Sequence, residues 1–331
     1  RNYKWWIQMS IYSIFVLSGQ AIGTILQRLY FTNGGKSKWM ATLVQVAGFP
    51  ILLIPFSWLK TRPVPESDPI TNGGLRRTRL LLAAVYFALG GFLAVDCMLY
   101  TIGIQYLPVT TFTLICASQL GFNAIFSYFL NGQRFTPYIV NSVFVLTVSS
   151  VLLVFQSDNK GGDSAAALGK NKYVLGFVCT LLASAGYGFM LSITQLVFRK
   201  MIGRETLGAI LELTVAQNLV AAAAIVVGLF ASGDWEGIPD EMRRYELGRV
   251  SYVMNLVWTS VAWQCFNLGC TGLIFKVSSL FSNVISILGL PVGPVLAVFI
   301  FNDKFTGLKG VSMALAMWGF VSYMYQYYVN D

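Results

Sequence analysis

The sequence has no histidine, and only 11% of its 331 residues are charged, less than half the share usual in soluble domains. The first absence excludes histidine-based catalysis and histidine proton relays. The five cysteines (Cys97, Cys116, Cys179, Cys265, Cys270) lie inside apolar runs with no C-x-x-C spacing, which disfavours zinc and disulfide roles and marks them as small core residues. No Gly-x-x-x-x-Gly-Lys-[Ser/Thr] loop is present, so the chain does not itself pump with ATP. There is no acidic ring, no Thr-Val-Gly-Tyr-Gly filter and no paired metal ligands. A channel or membrane enzyme therefore has little support, and no metal or cofactor is expected. No Asn-x-Ser/Thr sequon marks an external loop.

What the sequence has is apolar length. Hydrophobic residues make up 56% and mean hydropathy is +0.64. Lys, Arg, Asp and Glu collect in short connectors between ten apolar stretches, at 4–30, 38–59, 79–104, 109–130, 135–156, 173–199, 206–231, 248–271, 275–300 and 306–329. Runs of about 21 to 28 residues, rising about 1.5 Å per residue, can each cross a hydrocarbon core of roughly 30 Å. Helix is the expected form, since a lipid-facing backbone must satisfy its own hydrogen bonds. Runs such as Leu80-Leu81-Leu82-Ala83-Ala84-Val85 lack the alternation of a β-barrel strand. The formal charge of +9 fits Lys and Arg at span ends beside lipid headgroups better than a nucleic-acid partner. The expectation is an all-α integral membrane protein with ten spans. The connector with Arg62, Arg76, Arg77 and Arg79 weakly favours a cytoplasmic N-terminus.

Two polar hairpins echo each other. Asn131-Gly132-Gln133-Arg134-Phe135-Thr136 joins spans four and five, and Phe301-Asn302-Asp303-Lys304-Phe305-Thr306 joins spans nine and ten. The echo suggests a duplicated five-helix unit, residues 1–157 and 173–331, joined by a loop at 158–172. Five is odd, so the second copy enters the membrane the opposite way, as in transporters that bind substrate near the midplane between inverted repeats.

Polar residues inside spans are costly, so each carries a functional reading beside a packing one. Gln119 and Asn123 share a face of span four. Their primary amides can donate and accept together, as needed to pair with a nucleobase edge, or they can bridge helices. Span eight offers Trp263, Gln264 and Asn267, an aromatic face beside amides that suits a flat heterocycle. Asp96 is the one acid deep inside a span. Desolvation disfavours its charged form, so it could load and release a proton, or it could pair with Tyr100, Arg28 or Lys276. Glu212 in span seven is a weaker candidate of the same type. With Arg28 and Lys276 the only cations near span interiors, a strongly anionic substrate is disfavoured.

As a set these residues resemble the plant purine permeases, a branch of the drug/metabolite transporter superfamily. The resemblance runs nearly end to end. It is carried by Leu17-Ser18-Gly19-Gln20, the stretch from Gly34 to Gln45, Tyr106-Leu107-Pro108-Val109, Cys116-Ala117-Ser118-Gln119-Leu120 and Phe122-Asn123-Ala124. In the second half it includes Trp263-Gln264, Gly272-Leu273-Ile274-Phe275, Ser278 to Asn283 and Trp318-Gly319-Phe320. It implies ten helices in two inverted repeats and proton-coupled import of neutral planar heterocycles, purines and cytokinins, with alkaloid or vitamin B6-like cargo in some relatives. It also implies a pocket between the halves toward which Gln119, Asn123, Trp263 and Asp96 converge, with Tyr187 and Asn283 as further candidates. Two rivals stay open: a facilitator of the same fold that ignores protons, and a membrane receptor that binds cytokinin without flux. The plasma membrane is the expected location, with an internal membrane as the alternative.

Overall fold

In lipid a backbone N–H or C=O finds no water, and the helix is the cheapest way to pair both. The computed structural model describes residues 3–60, 72–107, 112, 115–132, 135–157, 170–202, 207–289 and 307–330, and among these it contains helices and no strand. In chain order they are α1 (Tyr3–Thr32), α2 (Lys38–Val46), α3 (Pro50–Lys60), α4 (Asn72–Tyr106), α5 (Gln119–Asn131), α6 (Pro137–Ser157) and α7 (Lys170–Val197). After a π-helical turn at Phe198–Ile202 come α8 (Leu207–Ser232), the short α9 (Ile238–Arg244), α10 (Gly248–Lys276), α11 (Ser279–Gly289) and α12 (Gly307–Asn330). Four stretches, Tyr3–Thr32, Leu80–Tyr106, Asn171–Met201 and Leu207–Ser232, are long and apolar enough to cross a membrane. The outward faces agree: Phe87 is 70% exposed and Phe144 67%, large side chains that water would penalise and lipid would not.

Three expected spans take a different form. Residues 38–59 were expected as one helix, but α2 and α3 are separate, broken at Ala47–Phe49. Proline explains the break: Pro50 has no N–H to give Val46, and the Gln264 side-chain Nε2 donates to the Val46 carbonyl at 3.2 Å instead. Span four was expected as one helix from 109; residues 115–117 are helical, a turn interrupts at Ser118, and α5 runs on from Gln119. Span eight was expected to end at 271, but α10 continues to Lys276, and the chain turns at Val277–Ser278 before α11. There the Ser278 hydroxyl accepts from the Phe281 N–H at 3.1 Å, the usual side-chain cap of a new helix. The Phe301–Thr306 hairpin and the loop at 158–169 lie outside the described residues.

Packing follows small residues. In a bilayer helices associate by close fit rather than by escape from water. The α1–α10 pair is the most extensive. A Cβ at Gly19 would stand 2.6 Å from the Ala262 carbonyl oxygen, and one at Gly269 2.7 Å from that of Tyr12, so the two backbones touch. Helix α4 packs on α7 and α8, α5 on α7, α2 on α8 and α10, and α6 on α12. Outside the apolar layer, Glu241 of α9 holds the α1–α2 connector. Its carboxylate accepts from the Tyr30 hydroxyl, from Tyr252 at 3.0 Å and from the backbone N–H groups of Lys36 and Ser37 at 2.9 and 3.0 Å.

Candidate functional site

Two polar regions lie inside the helices. The first joins α5, α7 and α11. The Asn123 side chain is fully buried: its Nδ2 donates to the Ser279 carbonyl at 3.1 Å, and its Oδ1 accepts from Ser192 at 2.9 Å and Ser127 at 3.2 Å. One turn earlier, Gln119 Nε2 donates to Asn283 Oδ1 at 2.6 Å, Asn283 Nδ2 returns a bond to the Gln119 carbonyl at 3.2 Å, and Tyr100 donates to Gln119 Oε1 at 3.1 Å. Gln195 Oε1 accepts from both the N–H and the hydroxyl of Ser279, at 2.9 and 2.6 Å. The shared face of Gln119 and Asn123 is real, but its amides bond to other helices. At the end of α5, Arg199 caps the Asn131 carbonyl at 2.9 Å, a cation at a helix C-terminus.

The second region is a cavity between α4, α7, α8 and α10. Tyr187, Thr214, Gln217, Asn218 and Asn267 supply its polar wall, with Leu93 and Ile274 among the apolar residues. Its volume is about 30 Å³. That admits a water or two, at a minimum of roughly 10–15 Å³ each, but not a heterocycle, whose pockets run to roughly 300 Å³ or more. The structure is thus closed around this space, and any such ligand requires the helices to part.

The expected residues divide around this cavity. Tyr187 and Asn267 line it. Gln264 reaches the wall through Asn218, whose Oδ1 lies 3.4 Å from both Gln264 Nε2 and Asn267 Nδ2. Trp263 turns toward α1, its indole 3.0 Å from where a Gly23 Cβ would stand, and its Nε1 has no partner. Asp96 sits on α4, three residues beyond the cavity-lining Leu93. It is 4% exposed, and its Oδ1 has no hydrogen-bond partner. That oxygen points at Gly186, where a Cβ would approach to 2.9 Å. None of the pairings considered for Asp96 forms: Arg28 is exposed, Lys276 ends α10, and the one ion pair among the described residues joins Arg243 to Asp240. Glu212 is exposed on α8 and is not part of the cavity wall.

Sequence reasoning passed over Gln217 and Asn218. Their signal was available: an amide pair in the middle of the apolar run of α8, which an intramembrane setting makes expensive. Asn218 Nδ2 donates to the Thr214 carbonyl at 2.7 Å, whereas Gln217 Nε2 is buried without a partner.

Apolar-faced helices around a small polar cavity are the build of an all-helical membrane protein. One solved crystal structure follows the same path, with a TM-score of 0.63 over 95% of this chain and 96% of its own, at 14% identity. The family model described as purine nucleobase transmembrane transport matches residues 7–331, and the chain belongs to that family. It is 55% identical to Purine permease 21 and 53% identical to Probable purine permease 10, both of Arabidopsis thaliana, over 100% of this chain and 83% of each relative. The protein is an integral membrane transporter and not an enzyme.

Proposed function

We propose that this protein carries purine nucleobases and cytokinins across a membrane by proton-coupled alternating access. The observation that carries the reading is Asp96: a buried carboxyl whose Oδ1 has no hydrogen-bond partner and which forms no ion pair among the described residues, next to a polar cavity. In the proposed cycle this carboxyl is enclosed in one state and reached by water in another, which couples proton movement to opening and closing. The printed names of the relatives supply the purine class. The cavity wall agrees with a neutral cargo, since amides, hydroxyls and one phenol line it and no charged side chain does.

The halves are residues 1–157 and 173–331, related as inverted repeats, with the linker at 158–172. The helix pairing supports this. Exchanging the halves turns the α1–α10 contact into the α4–α7 contact and returns α6–α12 to itself, as inverted repeats require. In the proposed cycle, substrate and proton enter while the cavity is open to one side. The helices then close to the state seen here and reopen on the other side. Tyr187 offers a ring face, and Asn267 and Gln264 offer amides. Gln119, Asn123 and Asn283 act by holding α5, α7 and α11 together. The plasma membrane is the proposed location.

The test is uptake of radiolabelled adenine and trans-zeatin into proteoliposomes with and without an inward proton gradient. Accumulation above equilibrium only with the gradient supports the symport reading. Equilibration that ignores the gradient reduces it to a facilitator, and binding without flux overturns carriage altogether.

A further inference from the structure

We propose that Gln217 is a substrate-reading residue of the cavity, meeting the donor–acceptor edge of a purine; this rests on the purine-carrier reading above. The argument begins with what the other amides are doing. The nitrogen of each of the others already donates: Asn218 Nδ2 to the Thr214 carbonyl, Asn267 Nδ2 to Asn218 Oδ1, and Gln264 Nε2 to the Gln45 and Val46 carbonyls and to Asn218 Oδ1.

Gln217 differs. It lines the same cavity, is 6% exposed, and its Nε2 has no partner. A buried donor left unpaired is destabilising, and membrane helices normally find such groups a neighbour. Its backbone is also fixed: a Cβ at Gly90 would stand 2.8 Å from the Gln217 carbonyl oxygen, so α4 lies directly against α8 here. The side chain therefore lines the cavity from a rigid base.

The chemistry that satisfies a primary amide is a neighbouring donor and acceptor. A 6-aminopurine presents that pair as N6–H beside a ring nitrogen, a 6-oxopurine as N1–H beside O6, and a glutamine can meet either pair with both its donor and its acceptor. Gln217 thus reads the C6 edge of either purine class, with Tyr187 on the cavity wall available to stack.

The experiment is competition of labelled adenine uptake by unlabelled adenine and hypoxanthine in wild type, Gln217→Met and Gln217→Asn. Methionine keeps the length and loses the amide; asparagine keeps the amide and withdraws it. The expected result for Gln217→Met is a KM for adenine and an inhibition constant for hypoxanthine both raised about ten- to a hundred-fold, with maximal rate kept. Unchanged affinity for both, or a fall in maximal rate at constant KM, overturns the inference and leaves Gln217 a packing residue. A wild-type arm is independent of variant folding: unsubstituted purine, which lacks N6–H, should compete about ten-fold less well than adenine, and equal competition overturns the inference. Failure of the carrier reading looks different, since wild type would then take up no adenine.

Discussion

The two polar regions inside this protein share the same chemistry and differ in how well it is satisfied. Around Asn123, each of the side chain's polar atoms is bonded to another group across three helices. Around the cavity, Asp96 Oδ1, Gln217 Nε2 and Gln264 Oε1 are buried and unpaired. In a medium where interhelical hydrogen bonds contribute only about 0.6 kcal/mol each, Asn123 is satisfied by its neighbours and these three atoms are not. Polar groups buried in a membrane are candidates for function, and the proposed cycle draws on those whose partners are missing from the state seen here.

The largest expected effect is on Asp96. Asp96→Asn should abolish gradient-driven accumulation of adenine while leaving the melting temperature within about 2 °C, since asparagine fits the same space. Next come two alanines two residues apart on α7. A Cβ at Gly188 would lie 2.8 Å from the backbone N of Asn123, and neither backbone can yield cheaply. Gly188→Ala should cost about 1–3 kcal/mol by overpacking, seen as a lowered melting temperature in detergent. At Gly186 the clash is with the Asp96 side chain, so Gly186→Ala should leave stability nearly intact and reduce the accumulation ratio several-fold. Asn123→Ala sharpens the contrast from the other side. Losing three bonds at about 0.6 kcal/mol each should cost about 2 kcal/mol, with the KM for adenine unchanged in the protein that survives. The smallest effect falls on Glu212. Exposed on α8, Glu212→Gln should change stability by less than about 0.5 kcal/mol and leave the proton dependence of uptake as it was.

Four of the expected spans, seen at Tyr3–Thr32, Leu80–Tyr106, Asn171–Met201 and Leu207–Ser232, were legible because apolar length is a direct demand of the bilayer, and the burial of Asp96 was legible because an acid within such a run is conspicuous. The break at Ala47–Phe49 was also written in the sequence, in Pro50, but reading it requires knowing that Gln264 lies opposite. What was not legible was which amides are spent. Gln119 and Asn123 on one face of α5 look the same on paper whether they await a ligand or, as here, bond to Asn283, Ser192 and Ser279. That outcome depends on the approach of α7 and α11, contacts some 65 to 165 residues away along the chain. Gln217 is the converse case: the amide pair in the apolar run of α8 could be read from the sequence, but that its Nε2 is left unpaired could not.

The most direct measurement of the account's central claim is adenine transport by Asp96→Asn in two modes in the same proteoliposomes, driven by an inward proton gradient and as exchange against internal adenine. The account predicts that accumulation disappears and exchange persists, because the unpaired carboxyl carries the proton and the cavity carries the substrate. Accumulation that survives in Asp96→Asn would contradict it.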